Sequence, residues 1–281
     1  MLHPFVARHL DTFQRQCARS AHVVSLAVKL RNQADAIIRA RMNDGIHAAT
    51  NGERLLIETI APHATTFIDV GANVGEWTLE FAGRCARPAR GLLFEPSPIA
   101  CEALREKLKP IFGVDELSIE IVPIAMADFQ GEMTFFLEPN AGSMSSFVPG
   151  HSRVAPIRAT ATVGTLDEEL RKRAINSVDM LKIDAEGFDC KVLRGAKELI
   201  NRQSVGVLQF EYTAGWARAG DTLASAIALL EGGGYSVFLL KKKGLHAFNY
   251  QRYGEYLGYS NFVGVSKKFL PLLRQHLMGD V

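Results

Sequence analysis

The sequence predicts an α/β protein with a mainly parallel sheet, preceded by a helical segment. Three observations support this prediction: short apolar runs alternate with segments of helical periodicity, the runs are apolar at nearly every position, and glycines follow the first run. Uniformly apolar strands are typical of parallel sheets that helices cover on both faces. We therefore expect a sheet enclosed between two helical layers.

The elements follow in order along the chain. Residues 1–50 have helical patterning and form a first predicted segment, and residues 51–281 form a single domain that begins with a helix ending near Pro62. Strands are expected at 67–70, 91–94, 119–124, 133–137, 180–183, 205–210, 235–240 and 262–266, and helices at 76–85, 99–108, 165–174, 192–200 and 223–231. The last two strands are expected to close the sheet as an antiparallel pair.

The bulk composition is that of an ordinary globular protein. Apolar residues make up 47% of the 281 residues and charged residues 22%. No apolar run approaches the roughly 18 residues of a membrane span. The early apolar stretch 22–30 lacks a small-residue cleavage site, so no signal peptide is predicted. The four scattered cysteines suit neither a zinc site nor a disulfide framework, and we predict a cytoplasmic protein.

The net charge of +2 is unevenly distributed. Residues 1–41 contain seven basic side chains against two acidic ones, so this segment carries about +5 and the remaining chain about −3. Such a segment could contact a membrane surface, an anionic partner or an import receptor. The favoured interpretation is a solvated face of a helix docked on the main domain. Aromatic residues do not interleave the basic ones, so no nucleic-acid partner is predicted.

The turn after the first strand predicts an adenosine-binding site. Gly71 and Gly75 allow a ligand and a helix to approach the backbone, and Asn73 between them tolerates a left-handed conformation. Glu95 lies twenty residues after Gly75, where an acid hydrogen-bonds ribose hydroxyls. Asp69 would repel a pyrophosphate but suits the ammonium of a methionine moiety. These residues favour S-adenosylmethionine over NAD.

Three segments together resemble the FkbM family of methyltransferases. They are DVGANVGEWT at 69–78, LFEPS at 93–97 and LKIDAEGFDCKVLRGA at 181–196, and the resemblance runs from about residue 51 to 265. It implies a Rossmann-like class I methyltransferase fold with a mainly parallel seven-stranded sheet and S-adenosylmethionine at its carboxyl edge. It also implies O-methylation of a hydroxyl on a sugar, a glycan or a secondary metabolite.

The candidate site residues fall into three groups. The predicted cofactor-binding residues are Asp69, Gly71, Ala72, Asn73, Gly75, Glu95, Pro96 and Ala125. The predicted catalytic residues are Asp184, as the first candidate for the general base, and Glu211, as the second. The predicted substrate-binding residues are Glu186 and His151. Acids at adjacent strand ends are expected to face the ligand, because ligands of open α/β sheets bind there.

Several alternatives remain open from the sequence. Asp184 could only cap its loop or contact the cofactor, and the acids at 184, 186 and 211 could bind a divalent metal, which we do not favour. His151, in a loop rich in glycine and serine, could be an incidental surface histidine. The chain could instead be an NAD-dependent oxidoreductase, a non-catalytic protein on the same fold, or a methyltransferase for another nucleophile.

Overall fold

The computed structural model describes residues 4–137 and 157–281. The chain divides into two compact units, one before Met42 and one from Met42 to Val281. The boundary expected after residue 50 falls inside the larger unit. Within that unit, Asp44 pairs with Lys241 at 3.1 Å, and Asn51 is buried.

The smaller unit contains the helices of the predicted N-terminal extension. They are α1 (Pro4–Cys17) and α2 (Ala21–Met42), whose last residue belongs to the larger unit. In the described parts of the chain, none of the helices combines the length and the apolar character that a membrane span requires.

The larger unit alternates strands and helices, as predicted. Its strands are β1 (Thr66–Val70), β2 (Ala89–Phe94), β3 (Leu117–Val122), β4 (Ala125–Met126), β5 (Gly131–Leu137), β6 (Ile157–Gly164), β7 (Val178–Ile183), β8 (Val205–Tyr212), β9 (Ser236–Lys241), β10 (Gly244–Ala247), β11 (Ser260–Val265) and β12 (Leu277–Asp280). Its helices are α3 (Ala48–Asn51), α4 (Glu53–Ile60), α5 (Glu76–Ala82), α6 (Pro98–Leu108), α7 (Leu166–Lys172), α8 (Asp189–Gly195), α9 (Lys197–Asn201), α10 (Gly215–Ala219), α11 (Leu223–Gly232), α12 (Tyr250–Tyr253) and α13 (Leu270–Leu273).

The main sheet is mainly parallel, which confirms the predicted fold class. Among the described residues it has nine strands in the order β12-β10-β9-β11-β8-β7-β1-β2-β3. Strands β3, β2, β1, β7 and β8 are parallel neighbours, and β11 pairs antiparallel with both β8 and β9. The closing pair of 235–240 with 262–266 is therefore confirmed.

The sheet is larger than the seven strands expected. The two additional strands are β10 and β12, which pair with each other and continue the sheet beyond β9. Both are only four residues long, and β12 is largely exposed, so neither produces an apolar run. A second, three-stranded sheet contains the predicted strand 133–137 as β5, with β6 between β4 and β5.

Helices cover the main sheet in two groups. Helices α4, α5 and α6 contact one another in sequence, and α8 contacts both α7 and α11. Beneath the first group, Trp77 stacks on Phe81 with ring centroids 4.7 Å apart, and Phe67 of β1 lies 5.1 Å from Phe81. The apolar first strand is thus fixed by the aromatic face of the helix that follows it.

The turn between β1 and α5 requires both of its glycines, because a Cβ at either position would collide with other atoms of the protein. Gly71 has φ +76°, and a Cβ there would collide with the carbonyl oxygen of Asp184 at the end of β7. Gly75 has φ +83°, and a Cβ there would collide with Leu104 of α6. The expected approach of a helix is therefore seen at Gly75. At Gly71 the limiting contact is a neighbouring strand.

Gly71→Ala should destabilise the larger unit more than the same change at Gly113, which has φ +79° and open space where a Cβ would lie. Left-handed strain costs an alanine about 1–2 kcal/mol at either position. The backbone collision at Gly71 should add about 1–3 kcal/mol. Urea unfolding of the two variants measures the difference. Equal losses would mean that the end of β7 yields freely and that the contact is not limiting.

Candidate active site

A cleft opens at the carboxyl edge of the main sheet, where the ends of β2, β1, β7 and β8 lie side by side. The cleft is open to solvent, and the empty space within it, this open part included, is about 710 Å³. The lining residues are Val70, Gly71, Asn73, Phe94, Glu95, Pro96, Ser97, Ala100, Ile124, Ala125, Met126, Phe135, Asp184, Ala185, Glu186 and Phe188. Seven of the residues predicted for the site therefore meet in one cleft.

The glycine turn is attached to the end of β2 by backbone hydrogen bonds. The amides of Gly71 and Ala72 both donate to the carbonyl of Phe94, at 2.9 and 3.1 Å. Asn73 has φ +47°, the left-handed conformation that the sequence predicted for it. These bonds fix the position of the turn beside the cleft.

Glu95 is a buried carboxylate that joins the turn to the start of α6. It accepts the amide of Asn73 at 2.9 Å on one oxygen and the amide of Ser97 at 2.8 Å on the other. Burial raises the pKa of Glu95 to about 7, and these two hydrogen bonds limit the rise. The carboxylate thus lines the cleft and is close to its titration point at neutral pH.

Asp69 lies at the end of β1 but behind the cleft lining. It is almost completely buried and accepts the hydroxyl proton of Thr78 in α5 at 2.6 Å. Burial raises the pKa of Asp69, and the nearby Lys182 ammonium opposes this rise. The predicted residues Ala72 and Gly75 likewise do not belong to the lining. In this structure Asp69 supports the turn from behind.

Lys182 is a buried cation between the two strand ends. Its Nζ lies 3.0 Å from Asp184 and 3.8 Å from Asp69. Burial disfavours the charged ammonium, but the carboxylates of Asp184 and Asp69 outweigh it and raise the pKa of Lys182 above its ordinary value. Lys182 therefore stays protonated and holds Asp184 at the wall of the cleft.

The loop after β7 is held in place by Asp189 at the start of α8. Its buried carboxyl accepts the amides of Ala185, Gly187 and Glu211, at 3.3 to 3.4 Å. Burial raises the pKa of Asp189 to about 8, and the charge of Asp184 adds to the rise. Asp189 therefore connects the loop that carries Asp184 to the end of β8.

The three acids predicted at adjacent strand ends are close enough to influence one another. Burial raises the pKa of Glu211 well above its ordinary value, and the charges of Asp184 and Glu186 raise it further. Glu211 lies opposite Asn261 in the register of β8 and β11. Its environment disfavours ionisation, whereas Asp184 is paired with an ammonium.

A second polar group, the Tyr259 cluster, joins α3 and α4 to β8 and the start of β11. It consists of Asn51, Glu53, Gln209, Tyr259 and Asn261. The amides of Asn51 and Asn261 both donate to the hydroxyl oxygen of Tyr259, at 3.4 and 3.3 Å. The amide of Gln209 donates to Glu53 at 2.7 Å.

This cluster belongs to the same electrostatic environment as the acids. Burial raises the pKa of Tyr259, and the charges of Glu211, Glu53 and Asp184 act on it in the same direction. A phenol accepts two hydrogen bonds and donates one. Since two amides occupy its acceptor positions, its proton remains to be donated to a third group.

Two predictions about the site stay predictions. His151, expected to contact substrate, lies outside the described residues. Within residues 4–137 and 157–281, no group of three histidine, cysteine or acidic side chains is arranged to hold a metal ion, and this finding does not test whether the protein needs one.

The site residues predicted from the sequence do not include Lys182, Asp189 or Tyr259. A signal existed for Lys182, because a lysine inside the apolar run of β7 must be paired when the strand is buried. Asp189 follows Gly187 at the start of a helix, a typical place for an acid, which conceals its function. Tyr259 meets Asn51 only through the fold, since 208 residues separate them.

Several solved methyltransferase structures are similar to this chain. A search of curated protein sequences found no match. Among solved structures, the O-methyltransferase from Bacillus cereus in complex with SAH is 13% identical, with a TM-score of 0.42 over 83% of this chain and 88% of that one. Precorrin-6y C5,15-methyltransferase from Geobacter metallireducens is 11% identical, with a TM-score of 0.42 over 76% and 87%. An rRNA methylase from Streptococcus thermophilus is 10% identical, with a TM-score of 0.39 over 76% and 96%.

A family model also matches this chain. The model of the methyltransferase FkbM domain matches residues 69–237, which is more than half of the chain. The matched region begins at the acid before the glycine turn and includes Glu95, Lys182, Asp184 and Glu211. The resemblance seen in the sequence is therefore confirmed, and the chain belongs to the FkbM family of methyltransferases.

Proposed function

We propose that this protein transfers a methyl group from S-adenosylmethionine to a hydroxyl of a neutral sugar, glycan or secondary metabolite. The observation that carries the proposal is the position of Asp184. Asp184 lines the cleft, and its charge acts on Tyr259 of the neighbouring cluster.

The cleft fits the two ends of S-adenosylmethionine. Glu95 offers a carboxylate for vicinal ribose hydroxyls, and Ile124, Met126 and Phe135 form an apolar wall suited to an adenine ring. The side-chain oxygen of Asn73 is buried and accepts no hydrogen bond from the described residues. A buried oxygen without a donor is costly, and a ligand ammonium would satisfy it. Bound there, S-adenosylmethionine would supply an electrophilic methyl group.

The chain's own residues would prepare the acceptor oxygen. An alcohol is a poor nucleophile, and a base that takes its proton adds about 10²–10⁴-fold to the rate. We assign this base to Asp184, since Lys182 holds its carboxylate at the cleft wall. Glu211, with its raised pKa, would keep its proton and donate a hydrogen bond to the acceptor. In many enzymes, neighbouring carboxyl groups take the separate roles of acid and base because their environments differ.

The Tyr259 cluster favours a neutral, hydroxylated acceptor. Amides and a phenol form hydrogen bonds with hydroxyls in either direction. The carboxylates of Asp184, Glu186 and Glu53 would repel a phosphate or carboxylate placed beside them. This charge pattern also supports the expectation of a non-nucleic-acid acceptor, which stays a prediction, as does the cytoplasmic location. The match to the methyltransferase FkbM domain disfavours an NAD-dependent oxidoreductase.

Asp184→Asn should cut methyl transfer about 10²–10⁴-fold, because the amide keeps the shape of the side chain but cannot take a proton. Binding of S-adenosylhomocysteine should stay within a few-fold. Single-turnover transfer from labelled S-adenosylmethionine, on a panel of neutral sugars, sugar phosphates, alcohols and amines, measures the effect and identifies the acceptor.

Asp179→Asn is the matched control for this variant. Asp179 lies on the same strand and accepts the amides of Thr65 and Thr66 at 2.8 and 3.0 Å, at the opposite end of β7. Its loss should reduce stability and leave the transfer rate intact. Near-normal turnover in Asp184→Asn would remove Asp184 from the mechanism and make Glu211 the next base to test.

Glu95→Gln should weaken S-adenosylhomocysteine binding and remove its pH dependence. Ribose hydroxyls donate to the ionised carboxylate, so wild-type affinity should rise as pH increases through about 7, the pKa of the free site. At pH 8 the variant should bind about 10–100-fold more weakly, as expected for lost charge-assisted hydrogen bonds. Isothermal titration from pH 6 to pH 8 measures both effects, with the exposed Glu102→Gln as control. A wild-type affinity that is flat across this range would contradict the ribose assignment.

Tyr259→Phe should raise the acceptor KM about 2–10-fold, the value of one neutral hydrogen bond, and leave cofactor affinity unchanged. Tyr253→Phe is the control, because its hydroxyl donates to Val281 at 2.7 Å, outside the cluster. Steady-state kinetics with the acceptor varied gives the KM. A variant with wild-type KM for the acceptor would place the acceptor elsewhere.

A further inference from the structure

The N-terminal hairpin, formed by α1 and α2, exposes far more apolar surface than a small helical unit in water normally does. Leu26, Leu30 and Ile37 of α2 are 58%, 64% and 72% exposed, and Phe13 of α1 is 63% exposed. Among the hairpin residues with described side chains, only Met42, the last of α2, is buried. Two helices without a buried core gain little stability from packing.

Three of the exposed apolar side chains of α2 form a stripe, while Val24 and Val28 are exposed on the opposite side of the helix. The spacing of Leu26, Leu30 and Ile37 places them within about 40° of one another around a helix with 3.6 residues per turn. The stripe is roughly 16 Å long. Its central residue is flanked in sequence by Lys29 and Arg31, which project about 100° to either side. An apolar stripe bordered by cations is the pattern of a helix that lies in a membrane interface.

The acidic residues of the hairpin do not offset this positive charge. Asp11 pairs with Arg15 at 2.9 Å and Asp35 with Arg31 at 3.8 Å, each within its own helix. Seven basic residues against these two leave a net charge of about +5 before Met42. The hairpin is therefore complementary to an anionic surface, over and above its apolar stripe.

The same charge argues against a second copy of the hairpin as the partner. A coiled coil through Leu26, Leu30 and Ile37 would bring two units of about +5 together. The charged side chains Lys29, Arg31 and Asp35 interrupt α2 along its length, which favours a helix lying in the interface plane. The family match begins at residue 69, so the hairpin lies outside the shared domain.

We propose that the N-terminal hairpin binds the surface of an anionic membrane, with Leu26, Leu30 and Ile37 in the acyl boundary and the basic side chains at the headgroups. The hairpin would hold the methyltransferase at that surface. This inference does not depend on the acceptor or the base assigned above.

The test is cosedimentation of the full chain with vesicles of phosphatidylcholine alone or mixed with phosphatidylserine. We expect at least about tenfold more binding to the anionic vesicles, decreasing as salt is added. The triple variant Leu26→Ala, Leu30→Ala, Ile37→Ala should lose at least about tenfold in binding, because alanine keeps the helix but removes apolar surface. Arg31→Gln, Arg39→Gln, Arg41→Gln together should abolish the preference for anionic vesicles.

A matched control removes exposed apolar side chains from the larger unit. Phe112, Val114 and Met278 are 42%, 41% and 41% exposed, and their combined change to alanine should leave vesicle binding unchanged. Circular dichroism shows whether each variant keeps its helices and its thermal unfolding. An alanine triple that is folded and binds like wild type overturns the proposal.

Other partners give different results in the same set of proteins. A dimer that forms without vesicles, and that the alanine triple dissociates in sedimentation equilibrium, would assign the stripe to a second copy and overturn the proposal. Binding to a short RNA in place of vesicles, lost in the glutamine triple only, would overturn it as well. Normal methyl transfer alongside failed vesicle binding would leave the proposed function intact.

Discussion

The contact between the turn after β1 and the end of β7 is the constraint on which the rest of the site depends. Gly71 leaves no space for a Cβ beside the Asp184 carbonyl, and the Asp184 amide donates to Val70 at 3.0 Å. The Gly71 amide donates to Phe94, so three strand ends are joined around one glycine. The positions of Asp184 and Glu95 relative to the turn follow from this junction, because both leave their strands at the joined ends.

Lys182 makes this arrangement of acids possible. Asp69, Asp189 and Glu211 lie near Asp184 in a region where burial disfavours the charges of these three acids. A single buried ammonium between Asp69 and Asp184 compensates part of this charge and leaves the remaining acids with raised pKa values. The surroundings of the two acids therefore differ: Asp184 has a cation beside it, and Glu211 has other carboxyl groups, which raise its pKa.

The sequence predicted the parts of the molecule that leave local signals. The apolar runs of β1, β2, β7 and β8 and the glycine turn could be recognised because burial and backbone geometry restrict residue types. Strands β10 and β12 could not, because four partly exposed residues carry no periodic pattern. The pairing of Lys182 and the junction of Asn51 with Tyr259 arise from contacts between distant segments, which composition and spacing do not encode. The sequence predicts that Glu95 faces a ligand, but it does not predict the hydrogen bonds that Glu95 accepts from the Asn73 and Ser97 amides.

The cleft and the Tyr259 cluster differ in chemistry, and this difference bears on the choice of acceptor. The cleft combines an apolar wall with the carboxyl groups of Glu95, Asp184 and Glu186. The cluster, which does not belong to the cleft lining, has amides, a phenol and the carboxylate of Glu53, and Lys182 is already engaged by Asp184 and Asp69. An anionic acceptor would add repulsion that no described group there is placed to relieve, while a neutral polyol would exchange its water hydrogen bonds for those of the cluster at little cost. Under the proposed function, selectivity for hydroxylated neutral molecules would follow from the same acids that would provide the base, so binding and activation of the acceptor would have a common electrostatic origin.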